Sequence, residues 1–215
     1  MRNQAVDALH LQTISTRFMA GEITRDQARL AVIDLITLRL HCSRLSLWRF
    51  DGEPGNLSML CFAAKEVGGE LDTLEKHLEL SEYRDHFDAL IQQGAYVSND
   101  ALHDPHLHGM QGNYLERHGI MAMLDAAYSV NGRIYGMACC EQIGSVRVWR
   151  ADELTDLRAI VAKVTILLAS TNDLALWGSP SLPMTPLSGG LSDALSDALS
   201  ENQQADLKRF DPRRR

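Results

Sequence analysis

Long apolar runs are missing from this 215-residue sequence. No segment approaches the roughly 20 apolar residues that a membrane-spanning helix needs. The N-terminal residues also lack the apolar core of a signal peptide. Together the two absences predict a cytoplasmic protein with no membrane partner.

An excess of basic residues is missing as well. The sequence has 21 Lys and Arg residues against 28 Asp and Glu residues, which gives a formal net charge of −7. Binding to nucleic acid in general depends on a basic surface that neutralises phosphates. We therefore expect no nucleic-acid partner.

Closely paired cysteines are the third absence. The four cysteines are Cys42, Cys61, Cys139 and Cys140, and none of them forms a C-x-x-C motif. This spacing disfavours a zinc ribbon or a thioredoxin-like site. Cys139 and Cys140 are adjacent in a predicted strand and should point to opposite faces. We interpret the cysteines as reduced, small apolar side chains.

The most informative stretch that is present covers residues 119–144. Two runs of alternating apolar residues, 121–130 and 133–142, flank the dipeptide Asn131-Gly132. Asn-Gly tolerates the positive φ angles of a type I′ turn, so the stretch predicts an antiparallel hairpin.

The rest of the chain predicts hairpins with helices at both ends. Thr24 and Gln27 match a capping box that begins a helix. Helices are expected at 3–19, 24–40, 82–93, 113–118 and 152–170, and strands at 43–51, 57–64 and 96–98, with 77–80 ambiguous. This order predicts an α+β fold built on an antiparallel sheet. We divide the chain into an N-terminal helical extension (1–22), one folded domain (23–172) and a flexible tail (173–215) with a short Leu-repeat helix.

Residues 24–170 resemble the GAF domain family, most closely the modules of bacterial signalling proteins. The resemblance is carried by YVSNDALHDP (96–105), YLERHGIMAMLDAA (114–127), GRIYGMACCE (132–141) and RVWRADEL (147–154). It implies a central sheet of five to six strands. Terminal helices would cover one face and form a dimer surface, and the middle helix and loops would enclose a small-molecule pocket on the other.

The resemblance also assigns the faces of the hairpin. Leu124, Ala126, Tyr128 and Val130 would pack beneath the terminal helices. The pocket face would hold Met123, Asp125, Ala127, Tyr135, Cys139 and Glu141. The remaining pocket candidates are Tyr83, Phe87, Asn99, Asp100, His103 and Tyr114. Tyr83 and Phe87, at i and i+4 on a helix, fit a core role equally well.

Two carboxylates on this face need partners. A buried, unpaired Asp125 would be costly. It therefore predicts either backbone N–H groups or a histidine of loop 99–108, or a polar or cationic ligand. For Glu141 we expect an ion pair with Arg147 that orients Trp149.

A histidine-rich segment raises the question of a metal site. The histidines are His103, His106, His108 and His118. No cysteine or clearly placed carboxylate completes a ligand set, so we expect loop histidines and no metal. A pH-sensitive lid over the pocket is the alternative.

The expected function follows from the resemblance and from what the sequence lacks. Residues 65–120 contain no cysteine, unlike free methionine-R-sulfoxide reductases. The D-I-P run and chromophore cysteine of bilin-binding GAF domains and the N-K-x-x-E-type signature of cyclic-nucleotide GAF domains are also missing. We expect no enzyme activity and no cofactor, but a small-molecule-sensing homodimer formed by helices 24–40 and 152–170. With no kinase, cyclase or helix-turn-helix motif in the chain, it would act in trans on a signalling partner. The alternatives are a structural adaptor dimer with a closed pocket and a redox enzyme that uses Cys139.

Overall fold

The computed structural model describes residues 2–53, 56–72, 76–79, 83–130 and 133–170. The helices are α1 (Arg2–Met19), α2 (Arg25–Leu40), α3 (Arg84–Gln93), α4 (Glu116–His118) and α5 (Ala151–Ser170). A 3₁₀ helix (Pro105–Met110) and a π turn (Gln111–Leu115) precede α4. The strands are β1 (Arg44–Glu53), β2 (Asn56–Glu66), β3 (Lys76–Glu79), β4 (Ala95–Ser98), β5 (Ile120–Val130) and β6 (Arg133–Ile143). Within these ranges, no helix combines the length and apolar character that crossing a membrane requires.

The strands form one six-stranded sheet in the order β3-β2-β1-β6-β5-β4. All neighbouring strands run antiparallel, which confirms the α+β class and the predicted sheet. The β5–β6 hairpin is paired from Ile120 and Ile143 to Val130 and Arg133. Its predicted Asn131-Gly132 turn lies outside the described residues, as do the linker and the predicted tail helix.

Local chemistry sets the helix ends as the sequence predicts. The Thr24 hydroxyl accepts a hydrogen bond from the Gln27 backbone N–H, and the Gln27 side chain accepts one from the Thr24 N–H. This capping box begins α2. Gly94 ends α3 with φ 67°, a left-handed conformation that glycine adopts without a Cβ clash.

The sheet separates two hydrophobic clusters. Helices α1, α2 and α5 cover one face, and their side chains form the helix-side cluster with sheet residues. It includes Val32, Ile36, Leu124, Ala126, Tyr128, Leu157 and Ile160. The pocket-side cluster, on the other face, comprises Trp48, Met59, Cys61, Ala64, Tyr83, Phe87, Leu90, Tyr96, Ala101, Leu107, Met110, Tyr114, Leu115, Ile120, Met123, Met137 and Cys139. The predicted two-faced hairpin is therefore present.

The predicted position of Tyr135 on the pocket face is wrong. The β5–β6 register pairs Tyr128 with Gly136 and Ser129 with Ile134, which leaves Tyr135 as the extra residue of a bulge. A bulge breaks the alternation of side chains. Tyr135 consequently packs against the helix-side cluster and not on the pocket face.

Candidate functional site

Two fully buried carboxylates, Asp125 and Glu141, lie on the pocket side of the central hairpin. Asp125 is opposite Cys139 in the β5–β6 register, and Glu141 is opposite Met123. Burial of an ionisable carboxyl is costly unless hydrogen bonds or opposite charge compensate it. The two residues have separate sets of partners.

Asp125 pairs with His86 of α3. The distance between Asp125 Oδ2 and His86 Nε2 is 2.7 Å, and both side chains are at most 1% exposed. Tyr96 of β4 packs its ring edge-on against His86, with centroids 4.8 Å apart. The pair is thus held between the sheet and α3.

The Asp125–His86 pair has unused hydrogen-bonding capacity. Asp125 Oδ1 and His86 Nδ1 are both buried, and neither has a nitrogen or oxygen hydrogen-bond partner among the described residues. The Cys139 thiol, which is opposite Asp125, is a hydrogen-bond partner of its carboxylate, but a thiol is only a weak donor. The buried Ser98 Oγ on β4 also lacks a partner there. Each unsatisfied buried polar group costs about 1–3 kcal/mol. The pair therefore offers two polar atoms that a bound molecule could satisfy, and Ser98, which is opposite Met123 in the β4–β5 register, offers a third farther along β4.

His86 was not among the site residues predicted from the sequence, although it contacts Asp125. The expectation that loop 99–108 supplies the protein partner of Asp125 is wrong, because that partner comes from α3. The helical periodicity did contain the signal: His86 lies on the buried stripe with Tyr83, Phe87 and Leu90, at i, i+3, i+4 and i+7. Because Tyr83, Phe87 and Leu90 are typical core residues, the stripe was interpreted as core packing and His86 was not considered as a partner for Asp125.

A second contact fixes the 3₁₀ helix beside this pair. The Tyr96 hydroxyl donates to Asp104 Oδ2 over 2.7 Å. Asp104 Oδ1 accepts from the His106 backbone N–H, so Asp104 also caps the 3₁₀ helix. Burial raises the pKa of Tyr96, and the hydrogen bond to Asp104 raises it further. Tyr96 is therefore a neutral donor that links β4 to the loop.

Glu141 lies at the centre of a buried polar network. Arg44 Nη1 donates to Oε2, and the Ser46 and Tyr114 hydroxyls donate to Oε1. The Trp48 indole N–H in turn donates to Ser46 Oγ over 2.8 Å. Burial lowers the pKa of Arg44, but the charge of Glu141 and the hydrogen bonds to Tyr114 and Glu141 outweigh that effect and raise it. Arg44 therefore stays charged and compensates Glu141.

The predicted Glu141–Arg147 ion pair is wrong. Arg147 pairs with Glu153 at 2.7 Å and donates to the backbone carbonyls of Leu40 and His41. Its guanidinium stacks 4.0 Å from the centre of the Trp149 ring. Arg147 thus joins the end of α2 to the start of α5, on the helix side.

Cys139 does not have the properties of a reactive nucleophile. Its thiol is fully buried. Burial raises its pKa well above the ordinary value, and the charges of Asp125 and Glu141 raise it further. Catalytic cysteines need a lowered pKa and some exposure.

In the described part of the chain, no three His, Cys, Asp or Glu side chains converge to hold a metal ion.

The candidate residues divide into a buried group and an exposed group. Asp125, Met123, Cys139, Glu141, Tyr83, Phe87 and Tyr114 are buried on the pocket side, with Ala127 partly buried beside them. The loop candidates lie apart from them. Asn99 Oδ1 accepts the Trp149 backbone N–H, while Asp100 pairs with a largely exposed His103.

Comparison with known proteins identifies the fold. A family model for the GAF domain matches residues 26–168. A search of curated proteins returned no match. The phycocyanobilin-bound GAF domain from a cyanobacterial phytochrome has TM-score 0.60 and 15% identity, covering 77% of this chain and 95% of that chain.

Two further structures are similar. The blue-light absorbing form of the Thermosynechococcus elongatus PixJ GAF domain has TM-score 0.56 and 17% identity, with 69% of this chain and 86% of that chain covered. The chromophore-binding domain of bacteriophytochrome RpBphP3 from R. palustris has TM-score 0.59 and 14% identity, with 80% of this chain covered. This chain spans 61% of that domain's length. At these identities the likeness concerns the fold.

Proposed function

The chain belongs to the GAF domain family, and on that basis we propose that it is a small-molecule-sensing module whose ligand binds beside Asp125 and His86. The observation that carries the proposal is the unused hydrogen-bonding capacity of this buried pair. Groups so deeply buried are almost always hydrogen-bonded in folded proteins. A ligand that satisfies them recovers the cost of leaving them unpaired.

The polar atoms define the ligand's chemistry. Asp125 Oδ1 is an acceptor and requires a donor, which a cationic or amide-like group supplies. His86 Nδ1 is at the far side of the ring from the nitrogen that contacts Asp125. The surrounding pocket-side cluster is aromatic and apolar. We therefore expect a flat or apolar body with a hydrogen-bond donor directed at Asp125.

The fold and its neighbours support this use of the site. One similar structure is a phycocyanobilin-bound GAF domain, so a small molecule is held by a protein of this fold. Here α3 contributes His86 to the pair, while β4 and β5 lie under it. A ligand can transmit a signal only through different affinities for two states of the protein. We take the two states to differ in how well α3 is ordered against β5, because His86 on α3 and Asp125 on β5 would both contact the ligand.

The proposed output is a partner protein regulated in trans by a homodimer. The helix layer exposes large apolar side chains: Leu38 on α2 is 74% exposed, and Leu9 and Met19 on α1 are 63% and 53% exposed. Apolar side chains at the surface of a helix layer support packing against another chain. Among the side chains that the structure describes, none of this layer belongs to the pocket-side cluster, so ligand and partner would occupy opposite faces.

Native mass spectrometry and a thermal-shift metabolite screen test the proposal. We expect a co-purified or added small molecule that stabilises the protein, and a loss of affinity of about tenfold in both Asp125→Asn and His86→Phe. Asp85→Asn is the matched control, since Asp85 lies on the exposed side of α3. A ligand that binds both site variants as tightly as the wild type refutes this location. A broad screen that finds no stabiliser refutes the sensing function.

An adaptor with a closed interior is the second candidate. The observation in its favour is that the pocket-side cluster is densely filled: Tyr83, Phe87, Met123 and Tyr114 are all at most 3% exposed. In that case Asp125→Asn changes only the stability, no metabolite binds, and the homodimer captures its partner without any small molecule. Partner capture that requires an added ligand refutes the adaptor.

A further inference from the structure

A surface pocket of about 310 Å³ opens at one end of the sheet, next to the Glu141 network. The start of β1, the end of β2, the segment after it and the last residue of α4 form its walls. The ionisable lining residues are Arg44, Lys65, Glu66, Glu70, Asp72 and His118. None of them belongs to the Asp125–His86 pair, so the pocket goes beyond the site proposed above.

Arg44 presents unused donors to this pocket. Its guanidinium hydrogen-bonds through Nη1, to Glu141 and Tyr114. Among the described residues Nε and Nη2 make none, and neither belongs to the fully buried unsatisfied atoms. The side chain is nevertheless 96% buried and therefore fixed, since only 4% of it is exposed. A fixed guanidinium edge is well suited to bind a carboxylate through two parallel hydrogen bonds.

The rest of the lining excludes a polyanion. Glu66 and Glu70 are exposed at the mouth of the pocket, and Asp72 lies half-buried beside them. The ammonium group of Lys65 is already 2.6 Å from Asp34. Carboxylates at the mouth repel a phosphate but attract an ammonium group. A molecule with one carboxylate and one ammonium group satisfies both ends of the pocket.

We propose that this pocket binds a small zwitterion of the free α-amino acid class. Its carboxylate lies on the outer edge of Arg44, and its ammonium group lies among Glu66, Glu70 and Asp72. The cavity volume is at the lower end of the range for small-molecule sites, which suits a ligand of this size.

Binding in this pocket connects to the interior through Arg44. The same guanidinium holds Glu141, which accepts from Ser46, and Ser46 accepts from the Trp48 indole N–H. A carboxylate on the outer edge competes with Glu141 for the charge of Arg44. The Trp48 indole N–H resonance is therefore a specific reporter of occupancy.

The test is a titration with a panel of free L-amino acids, followed by thermal shift and by the Trp48 indole resonance. At least one amino acid should raise the unfolding temperature and shift that resonance. Its carboxamide and its N-acetyl derivative, each of which lacks one charge, should bind at least about tenfold more weakly. Inorganic phosphate should bind more weakly than the amino acid.

Exposed variants locate the site without disturbing the buried network. Glu66→Gln/Glu70→Gln should weaken the amino acid about fivefold or more. Glu70 makes no hydrogen bond or ion pair with other described residues, so the fold should be unaffected. Glu22→Gln/Asp85→Asn removes the same charge away from the pocket and should not change affinity.

The proposal is overturned if no amino acid binds at millimolar concentration, if the carboxamide binds equally well, if phosphate binds more tightly, or if the Glu66/Glu70 variant binds normally. Asp125→Asn separates the two sites. If it abolishes amino acid binding, the ligand occupies the interior site and the pocket assignment is wrong. If binding persists, the pocket is independent of the function proposed for Asp125.

Discussion

Replacing Glu141 by alanine removes the acceptor at the centre of the buried network. Arg44, Ser46 and Tyr114 all donate to its carboxylate. Arg44 is 4% exposed, so the truncation leaves a positive charge buried without its partner. Breaking a buried ion pair in this way typically costs about 3–5 kcal/mol. Since each kcal/mol lowers the unfolding temperature of a domain of this size by about 2–4 °C, we expect a decrease of roughly 6–20 °C.

Glu141→Gln is the informative comparison. The amide retains the shape and can direct its oxygen toward Arg44, while its NH₂ group donates to the Ser46 or Tyr114 hydroxyl. The charge is lost but most hydrogen bonds are restored, so the expected cost is about 1–3 kcal/mol. A larger loss of unfolding free energy for Glu141→Ala than for Glu141→Gln indicates a buried charge that has lost its partner.

Urea unfolding followed by circular dichroism measures these free energies. A double-mutant cycle of Glu141→Ala with Arg44→Met should give a coupling energy of about 0.5–3 kcal/mol, and a cycle with Arg147→Ala should give none. Asp152→Asn, which disrupts an exposed pair with Arg150, serves as the surface control. Equal costs for alanine and glutamine, or coupling to Arg147 and not to Arg44, would refute the reasoning.

Two other predictions concern packing and ionisation. Gly136→Ala should lower the free energy of unfolding in urea by about 1–3 kcal/mol or more, because its Cβ would lie 2.0 Å from the Trp48 carbonyl oxygen. Gly112→Ala is the control, since a Cβ there meets open space and should leave the stability unchanged. Equal costs for the two variants would contradict this reasoning. Burial raises the pKa of the Cys139 and Cys140 thiols. Unfolded thiols ionise first, so the free energy of unfolding should be intact below about pH 8.5 and fall above it by up to about 1.4 kcal/mol per pH unit per thiol. The same slope in Cys139→Ala/Cys140→Ala would contradict that origin.

The features that the sequence predicted depend on near neighbours. The Thr24 capping box joins residues three positions apart, and Gly94 ends α3 through its own backbone conformation. The alternation of residues along β5 sorted Met123 and Asp125 from Leu124 without any knowledge of the rest of the fold. Such features follow from steric and hydrogen-bonding preferences that act within a few residues.

The bulge at Tyr135 shows where that local reasoning ends. Simple alternation places Tyr135 with Cys139 and Glu141, but the register shift moves its ring to the helix side. The shift occurs where Tyr128 packs over Gly136, which has no side chain to oppose it. A bulge depends on the packing of two strands, and neither strand alone indicates it.

The amino-acid sequence by itself determined that Asp125 and Glu141 share the pocket side of the sheet and that both require compensation. Only the tertiary structure decided which groups provide it. Among the arginines, Arg147 is six positions from Glu141 along the chain, yet the partner is Arg44, 97 positions away. Arg44 and Glu141 are direct neighbours in the β1–β6 register, while Arg147 lies on the other side of the sheet. His86 likewise reaches Asp125 across 39 positions because α3 packs on β5. Electrostatic attraction depends on distance in space, and strand register and layer packing set that distance.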